Sequence, residues 1–406
     1  MTDQRVAPPR PPVVGPVVGM VGAGQLARMT FQASIALDVG FRVLAAQPDE
    51  SAAQVCPGTS FGDYQDLDDL LSFAAGCDVL TFDHEHVPGP QLAALEKAGV
   101  PLRPGPEALR FAQDKLAMRE RLTALGVPCP RYAPVAGLDD VTAFAAGSGW
   151  PVVLKAVSGG YDGRGVWVCA APEQAAEVLA HGLALIVEEH VGFDRELAAL
   201  VARSPHNQGA AYPVVQTVQS DGVCREVLAP APGLPAPRAE EAQRLALTLA
   251  EELGVTGLLA VEFFDTASGL LVNELAMRPH NSGHWTIDGA RTSQFEQHLR
   301  AVLDLPLGAP EAVAAQVVMA NVFGGTELAS TGLASTGLAS TGPDVYSRYE
   351  HVLANDPGVK VHLYGKAARP GRKIGHVTVL GRAGDGIDEL RERAGHAARF
   401  LGEGKD

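Results

Sequence analysis

The feature that most constrains this chain is the stretch Leu271–Trp285, which brings a carboxylate, an arginine, two histidines and two asparagines together. A second apolar segment, Leu258–Asp265, lies just upstream, and the turn-forming residues Thr266–Gly269 separate the two. This pattern predicts a β-hairpin. Because opposed positions of paired strands share a face of the sheet, the hairpin places Glu262 roughly opposite Glu274.

Two facing carboxylates repel each other unless a cation lies between them. Carboxylate oxygens with the neighbouring Asn273 amide suit Mg²⁺, which takes its other ligands from water and substrate phosphates. The pair Glu262 and Glu274 is therefore a candidate metal site. The alternative is two unrelated acids on a solvated face.

An arginine, a histidine and an asparagine follow this strand directly, at Arg278, His280 and Asn281, and Pro279 favours an extended turn between them. The planar guanidinium fork suits a carboxylate or a phosphate. A metal–phosphate site beside such an anion cradle indicates phosphoryl transfer to a small oxyanion.

Composition bounds the classes of protein to consider. The chain has 406 residues, which predicts two or three domains, and its net charge of −15 argues against non-specific nucleic-acid binding. No apolar run is long enough to predict a membrane span. Five scattered cysteines without a CxxC pair favour reduced thiols in the cytoplasm. The proline-rich residues 1–16 are expected to be a disordered tail.

The N-terminal segment reads as a strand, a glycine turn at Gly22–Gly24 and a helix, which is typical of a parallel Rossmann-like sheet. The second strand, Phe41–Ala46, ends without the acid that binds a nicotinamide ribose, so the first loop is expected to hold a phosphate but not NAD. Another buried strand ends before the loop Asp83–Val87. A polar loop is favoured there over a metal site at its two histidines, and Glu85 lies where α/β sheets bind ligands.

The middle of the chain starts with an amphipathic helix predicted over Gln113–Leu125. The strand that ends at Lys155 leads into the glycine-rich loop Ser158–Gly165, which can lay backbone N–H groups on phosphates and move as a lid. The alternative, a plain hairpin loop, does not explain Lys155 or the polar residues within the loop. The strand Ile186–Val191 carries two acids, Glu188 and Glu189, which are predicted to accept from an adenine amine and to hold ribose.

The C-terminal segment begins with the strand Val317–Phe323 and contains a repeat of Leu-Ala-Ser-Thr-Gly over residues 328–342. The repeat has too little apolar bulk for a core and predicts a flexible surface insertion without chemistry. Beyond it, Val361–Lys366 and Arg369–Leu380 predict a hairpin. The bases at its turn indicate an anion site rather than solvated charge; they are Lys366, Arg372 and Lys373.

Taken together, these motifs resemble the N5-carboxyaminoimidazole ribonucleotide synthase family of ATP-grasp enzymes in purine biosynthesis. The resemblance runs in order from about Val17 to Leu401. It is carried by residues 22–29, 81–87, 159–165, 193–196, 273–274, 278–285, 362–366 and 370–373.

The resemblance implies an α/β ATP-grasp fold, α+β overall, with four parts. These are the tail at 1–16, a Rossmann-like domain at 17–112, an ATP-grasp domain at 113–310 with a lid at about 130–205, and a small strand-rich C-terminal domain at 311–406. It also implies a homodimer and no partner among nucleic acids or membranes.

The implied reaction converts ATP, bicarbonate and 5-aminoimidazole ribonucleotide into ADP, phosphate and the N5-carbamate. Mg²⁺, with Mn²⁺ as the alternative, would bind Glu262 and Glu274. The implied ATP-binding residues are Lys115, Lys155, Gly159, Gly160, Tyr161, Asp162, Gly163, Arg164, Gly165, Glu188, Glu189, His190, Val191, Glu196, Asn273 and Glu274.

The implied catalytic residues around bicarbonate and its phosphorylated form are Arg278, His280, Asn281 and Lys366, with Asp162 as the general base for the amine. The ribonucleotide would contact Gln25, Glu85, Tyr161, Asp162, Arg164, Lys366 and Arg372.

Three positions depart from the family pattern, and three other functions stay open at this stage. Gln219 stands in place of a frequent histidine, Asp83 in place of a glutamate, and the repeat is extra. The nearest alternative is another ATP-grasp ligase, such as a formate-dependent transformylase or a biotin carboxylase. A nicotinamide-dependent oxidoreductase and a non-catalytic nucleotide sensor are the other two.

Overall fold

The structure, a computed structural model, describes residues 15–160, 163–325 and 343–404. The predicted disordered tail (apart from residues 15 and 16), Tyr161, Asp162 and the Leu-Ala-Ser-Thr-Gly repeat lie outside the described residues. None of the helices in the described ranges has the length and apolar character needed to cross a membrane.

The N-terminal part is a parallel sheet, as predicted, and its strand order is β3-β2-β1-β4. The strands β1 and β4 are short apolar runs and are largely buried. Since the carboxyl ends of β1 and β4 lie at one edge, the loops that follow them meet there. The elements are β1 (Val17–Val21), α1 (Gln25–Ala36), β2 (Gly40–Ala45), β3 (Thr59–Phe61), α2 (Leu67–Ala74), β4 (Val79–Phe82), α3 (Gly89–Lys97) and α4 (Pro106–Gln113).

A small antiparallel sheet follows, in the order β5-β8-β6-β7. Two helices cover one of its faces, around a core that includes Val141, Leu154 and Val187. Its elements are α5 (Lys115–Ala124), β5 (Tyr132–Val135), α6 (Leu138–Ser148), β6 (Val152–Ala156), β7 (Val166–Cys169), α7 (Pro172–Leu179) and β8 (Leu185–Glu189).

The rest of the chain builds a large sheet in the order β14-β13-β9-β11-β12-β15-β17-β16, with β10 paired to β9. Its elements are β9 (Arg195–Arg203), β10 (Gly209–Ala211), β11 (Val215–Ser220), β12 (Val223–Ala229), α8 (Ala236–Glu252), β13 (Gly257–Thr266), β14 (Gly269–Ala276), a 3₁₀ turn (Asn281–Gly283), α9 (Thr286–Gly289), α10 (Gln294–Val302), β15 (Val317–Phe323), α11 (Pro343–Asn355), β16 (Lys360–Leu363), β17 (Lys373–Leu380) and α12 (Ile387–Glu403).

Three predicted boundaries change. The helix predicted from Gln113 begins at Lys115, because Asp114 has an extended backbone and accepts a hydrogen bond from Ala117 N as the N-cap. The lid sheet ends at Glu189 rather than near residue 205, since β9 pairs with β13 and β11 in the large sheet. The C-terminal strands extend that same sheet, because β15 pairs with β12.

Candidate active site

A cavity of about 450 Å³ opens where the loops after β1 and β4 meet the β13–β14 hairpin and the C-terminal hairpin. Motifs that are far apart in the sequence converge on it. Its lining includes Gln25, Asp83, Glu85, Gly159, Gly160, Gly163, Gln219, Gly222, Glu262, Glu274, Arg278, His280, Asn281, Ser282, His284, Lys366 and Lys373.

The carboxylate pair has the predicted geometry. Glu262 and Glu274 are cross-strand partners in the β13–β14 hairpin. Burial and the nearby Glu274 and Glu196 carboxylates raise the pKa of Glu262 to about 8. Burial also works to raise the pKa of Glu274, but the Lys115 ammonium, with its Nζ 2.5 Å from Glu274 Oε1, holds that pKa below its usual value. Two facing oxygen donors under this mutual repulsion fit a divalent cation.

Asn273, the amide beside the predicted metal pair, has another partner. Asn273 Oδ1 accepts a hydrogen bond from Lys155 Nζ at 2.9 Å. The amide therefore joins the lid strand β6 to the hairpin strand β14, and its oxygen is engaged by Lys155 instead of being directed at a metal.

Glu188, the acid predicted to bind adenine, belongs to a buried ionic network. Glu188 Oε1 lies 2.7 Å from Arg119 Nε, and Glu188 Oε2 lies 2.9 Å from Lys155 Nζ. Burial by itself raises the pKa of Glu188, but these two cations hold it below its usual value. Arg119 also donates to the carbonyls of Val272 and Asn273. The Glu188 carboxylate thus positions Lys155 and, through Arg119, connects the lid sheet to β14, while its contact with adenine stays a prediction.

The second acid of that pair is also engaged. Glu189 accepts from the backbone N and from Nε of Arg131, at 2.8 and 2.7 Å. The remaining predicted nucleotide contacts, His190 and Val191, lie in the connection between β8 and β9. Glu196 on β9 is hydrogen-bonded by Gln219, and burial raises the pKa of this carboxyl.

The glycine loop closes against the turn between β11 and β12. A Cβ on Gly163 would lie 3.1 Å from the carbonyl oxygen of Gly222. Both glycines have positive φ, at 76° and 73°. Gly159, Gly160 and Gly163 therefore border the cavity with bare backbone, as a lid loop requires, while Arg164 and Gly165 continue into β7.

Arg278, which was predicted to bind an oxyanion, contacts Glu85, which was predicted to bind the ribonucleotide. Arg278 Nε donates to Glu85 Oε2 at 3.1 Å, and Met277 N donates to Glu85 Oε1 at 2.8 Å. The sequence predicted Glu85 as a contact to the ribonucleotide. In the structure its carboxylate orients the guanidinium and the strand end that carries it. Because Glu85 also lines the cavity, its contact with the ribonucleotide stays a prediction.

The residues after Arg278 form a compact polar turn. His280 Nδ1 lies 2.8 Å from Ser282 Oγ, and His280 Nε2 lies 3.6 Å from Glu262 Oε1. Asn281 Nδ2 is buried and has no hydrogen-bond partner among the described residues. An unsatisfied donor at a cavity wall is suited to a ligand oxygen.

Cations of the C-terminal hairpin reach the same cavity. Lys366 Nζ donates to Gln25 Oε1, so two predicted substrate contacts from opposite ends of the chain meet. Arg372 is exposed and donates to Ala367 O. Among the described residues it is Lys373, and not Arg372, that lines the cavity.

In the first loop, the backbone N–H groups expected to bind a phosphate are already engaged by a side chain. Asp83 accepts from the backbone N–H groups of Gly24 and Ala27, which are the donors that an anion would use at the start of α1. A buried carboxylate of the protein fills this position. His84 and His86 stack with ring centroids 5.2 Å apart, and the described residues contain no cluster of three or more metal-binding side chains.

Sequence reasoning missed several residues of the site. Arg119 reads as one more charge on an amphipathic helix, and Gln294 reads as a polar residue of α10. Gln219 was set aside because it departs from a family pattern, although it reaches both the cavity and Glu196. Lys373 could have been found from the cluster of bases at the C-terminal turn, but Arg372 of that cluster was predicted as the ribonucleotide contact instead.

Three domain families match successive parts of this chain. They are the ribonucleotide synthetase preATP-grasp domain over residues 16–113, the ATP-grasp domain over 120–295, and the phosphoribosylaminoimidazole carboxylase C-terminal domain over 317–392.

Several N5-carboxyaminoimidazole ribonucleotide synthases are similar to this chain over almost its whole length. N5-carboxyaminoimidazole ribonucleotide synthase of Mycobacterium bovis is 56% identical over 397 residues, covering 97% of this chain and 89% of the relative. The crystal structure of the synthetase from Thermus thermophilus is 38% identical, with a TM-score of 0.82 over 95% of this chain and 98% of the other. The Aspergillus clavatus enzyme, in complex with ADP and 5-aminoimidazole ribonucleotide, is 30% identical, with a TM-score of 0.81 over 95% and 97%.

Proposed function

This chain belongs to the N5-carboxyaminoimidazole ribonucleotide synthase family, and from that premise we propose how its cavity carries out the reaction. The protein is an ATP-grasp ligase that carboxylates 5-aminoimidazole ribonucleotide in purine biosynthesis. The observation that carries the assignment of roles is the convergence of the carboxylate pair Glu262 and Glu274 with the cradle of Arg278, His280, Asn281 and Lys366 in one cavity.

Glu262 and Glu274 would hold Mg²⁺, which would offset the negative charge that develops on phosphoryl transfer. Lys155, fixed by Glu188 and Asn273, lies on the lid strand that leads into the glycine loop. We assign the loop backbone at Gly159, Gly160 and Gly163 to the phosphates. The ionic network around Arg119 fixes the position of the lid strand β6 relative to the β13–β14 hairpin.

Bicarbonate is a poor electrophile, so the proposed route phosphorylates it to carboxyphosphate and keeps that intermediate from water. The guanidinium of Arg278, oriented by Glu85, and the free amide donor of Asn281 offer hydrogen bonds to its oxygens. Lys366 adds a positive charge. Asp162, outside the described residues, stays our prediction for the base that removes a proton from the attacking amine.

The deciding experiment measures ADP release with ATP and Mg²⁺ while bicarbonate and 5-aminoimidazole ribonucleotide are omitted in turn. We expect full turnover only with both, and the N5-carbamate as the product. Replacement of bicarbonate by formate without loss of turnover would instead identify a formate-dependent ligase. ADP release independent of the ribonucleotide would contradict the proposed amine.

We also propose that the protein is a cytoplasmic homodimer. Its five cysteines are free thiols, which is compatible with a reducing compartment. Sedimentation equilibrium tests the oligomeric state, and a monomeric mass across micromolar concentrations would contradict it.

A further inference from the structure

The orientation of the Gln294 side chain is determined by the backbone of one residue, His280. Gln294 is fully buried. Its Oε1 lies 2.8 Å from His280 N, and its Nε2 lies 2.8 Å from His280 O. A backbone N–H can only donate and a carbonyl can only accept, so the amide oxygen faces the former and the amide nitrogen faces the latter. Exchanging the two atoms would break both hydrogen bonds.

This orientation fixes the tautomer of a second residue, His284. Gln294 Nε2 lies 3.0 Å from His284 Nδ1. Since that amide nitrogen is a donor, Nδ1 must accept, and the ring proton of the neutral imidazole is on Nε2.

The surroundings keep the ring neutral and immobile. Burial, followed by the proximity of His280, Lys373, His362 and Arg278, lowers the pKa of His284 well below its usual value. Three aromatic rings pack around it, those of Phe295, Tyr364 and His376, with centroids 5.7, 6.3 and 5.1 Å away. Although His284 is only 1% exposed, it lines the cavity. With Nδ1 engaged, Nε2–H is its remaining polar group.

We propose that His284 is a further substrate-binding residue, whose Nε2–H donates a hydrogen bond to a substrate oxyanion, either an oxygen of bicarbonate or the phosphate of the ribonucleotide. A neutral donor held in one orientation adds directional binding beside Arg278 and Lys366 without adding charge. This inference rests on the proposed function for the identity of its ligands, but not for the tautomer.

The first test uses the wild-type protein labelled with ¹⁵N-histidine. We expect the His284 resonances, identified by their loss in His284→Gln, to show a protonated Nε2 and an unprotonated Nδ1. Addition of bicarbonate with ADP and Mg²⁺, or of the ribonucleotide, should shift the Nε2 resonance. A proton on Nδ1, or no shift with either ligand, would overturn the proposal.

The second test is kinetic. His284→Ala should raise KM for one oxyanion substrate by about tenfold or more, the value of a hydrogen bond to a charged group, and leave KM for ATP unchanged. The substrate whose KM rises identifies the source of the oxyanion. His284→Gln, which can place an amide N–H near the position of Nε2, should recover most of the loss.

The control is His298→Gln, because His298 is also fully buried but hydrogen-bonds Thr81 away from the cavity lining. It should change the melting temperature without changing either KM. Unchanged KM values in folded His284→Ala, or no recovery in folded His284→Gln, would show that the ring only packs. Wild-type turnover that requires both substrates would leave the proposed function standing in that case.

Discussion

Glu262 and Glu274 face each other across adjacent antiparallel strands, and Lys115 ion-pairs with Glu274. The pair is therefore asymmetric in its protonation. Burial and the neighbouring carboxylates raise the pKa of Glu262 to about 8, whereas Lys115 keeps Glu274 ionised. Without a cation between them, the two carboxyl groups together hold about one proton at neutral pH.

This asymmetry predicts that Mg²⁺ binding releases a proton below about pH 8, because Glu262 must ionise to serve as a ligand. Apparent Mg²⁺ affinity should rise with pH up to about 8 and then level off. Calorimetry in buffers of different ionisation enthalpy measures the released proton. Glu274→Gln should abolish tight binding and turnover, while the exposed Glu240→Gln should not. Tight Mg²⁺ binding without proton release would contradict the assignment.

The same raised pKa affects folding. The ordinary glutamate pKa is 4.5, so between about pH 4.5 and 8 the metal-free folded state retains a proton that the unfolded chain has lost. The contribution of Glu262 to the free energy of unfolding therefore falls as pH rises through that window. Saturating Mg²⁺ should abolish this trend, because Glu262 is then ionised in both the folded and the unfolded state, and thermal melts with and without the ion can check this.

Arg278→Lys should keep ATP binding and lose most bicarbonate-dependent carbamate formation. Lysine retains the charge but loses the planar fork, of which one edge contacts Glu85. Misplacement of a reacting group by about 1 Å can cost a hundredfold in rate. Glu85→Gln should produce a milder loss of the same kind, because it weakens the orientation of Arg278 without removing it. If the Arg278→Lys variant is fully active, or if it loses stability and activity together, Arg278 is a structural residue.

Gly222→Ala should slow turnover by hindering closure of the glycine loop. A Cβ there would lie 3.1 Å from Gly163 Cα, and φ of Gly222 is 73°. Gly233→Ala is the matched control, because its φ is 63° and a Cβ would meet nothing within 4 Å. Both variants should lose about 1–2 kcal/mol of stability through backbone strain, and only Gly222→Ala should lower kcat. Equal kcat in the two would argue against a closing contact at Gly222.

Arg119→Ala should lower the free energy of unfolding by about 3–5 kcal/mol, because it leaves Glu188 buried with one cation instead of two. Arg121→Ala on the same helix removes a more exposed ion pair with Glu252 and should cost less than about 1 kcal/mol. Urea unfolding of both variants makes the comparison. Similar small losses would show that Lys155 alone satisfies Glu188.

Patterns along the chain were sufficient for the β13–β14 hairpin and its facing carboxylates. Apolar runs and a turn signal are local properties, and a two-strand register follows from where the turn lies. The meeting of Gln25 with the loop after β4 was also predictable, because parallel strands bring their carboxyl ends to one edge. The glycine loop and the order of the domains likewise came from local composition and resemblance.

Partners of charged side chains were not predictable in this way. In the sequence, Glu85 and Glu188 both look like ligand-binding acids. In the structure, Glu85 orients Arg278, and Glu188 pairs with Arg119 and Lys155. Asp83 occupies the amides that the first loop offered to a phosphate.

The sequence alone determined the family, the order of the strands and helices near the site, and which residue types meet there. Only the tertiary structure decided which cation pairs with which carboxylate, and that Gln294 orients His284. The physical reason is that such pairings depend on distances of a few ångströms between residues up to 193 positions apart. Those distances are set by the packing of whole sheets and helices, on which local patterns carry no information.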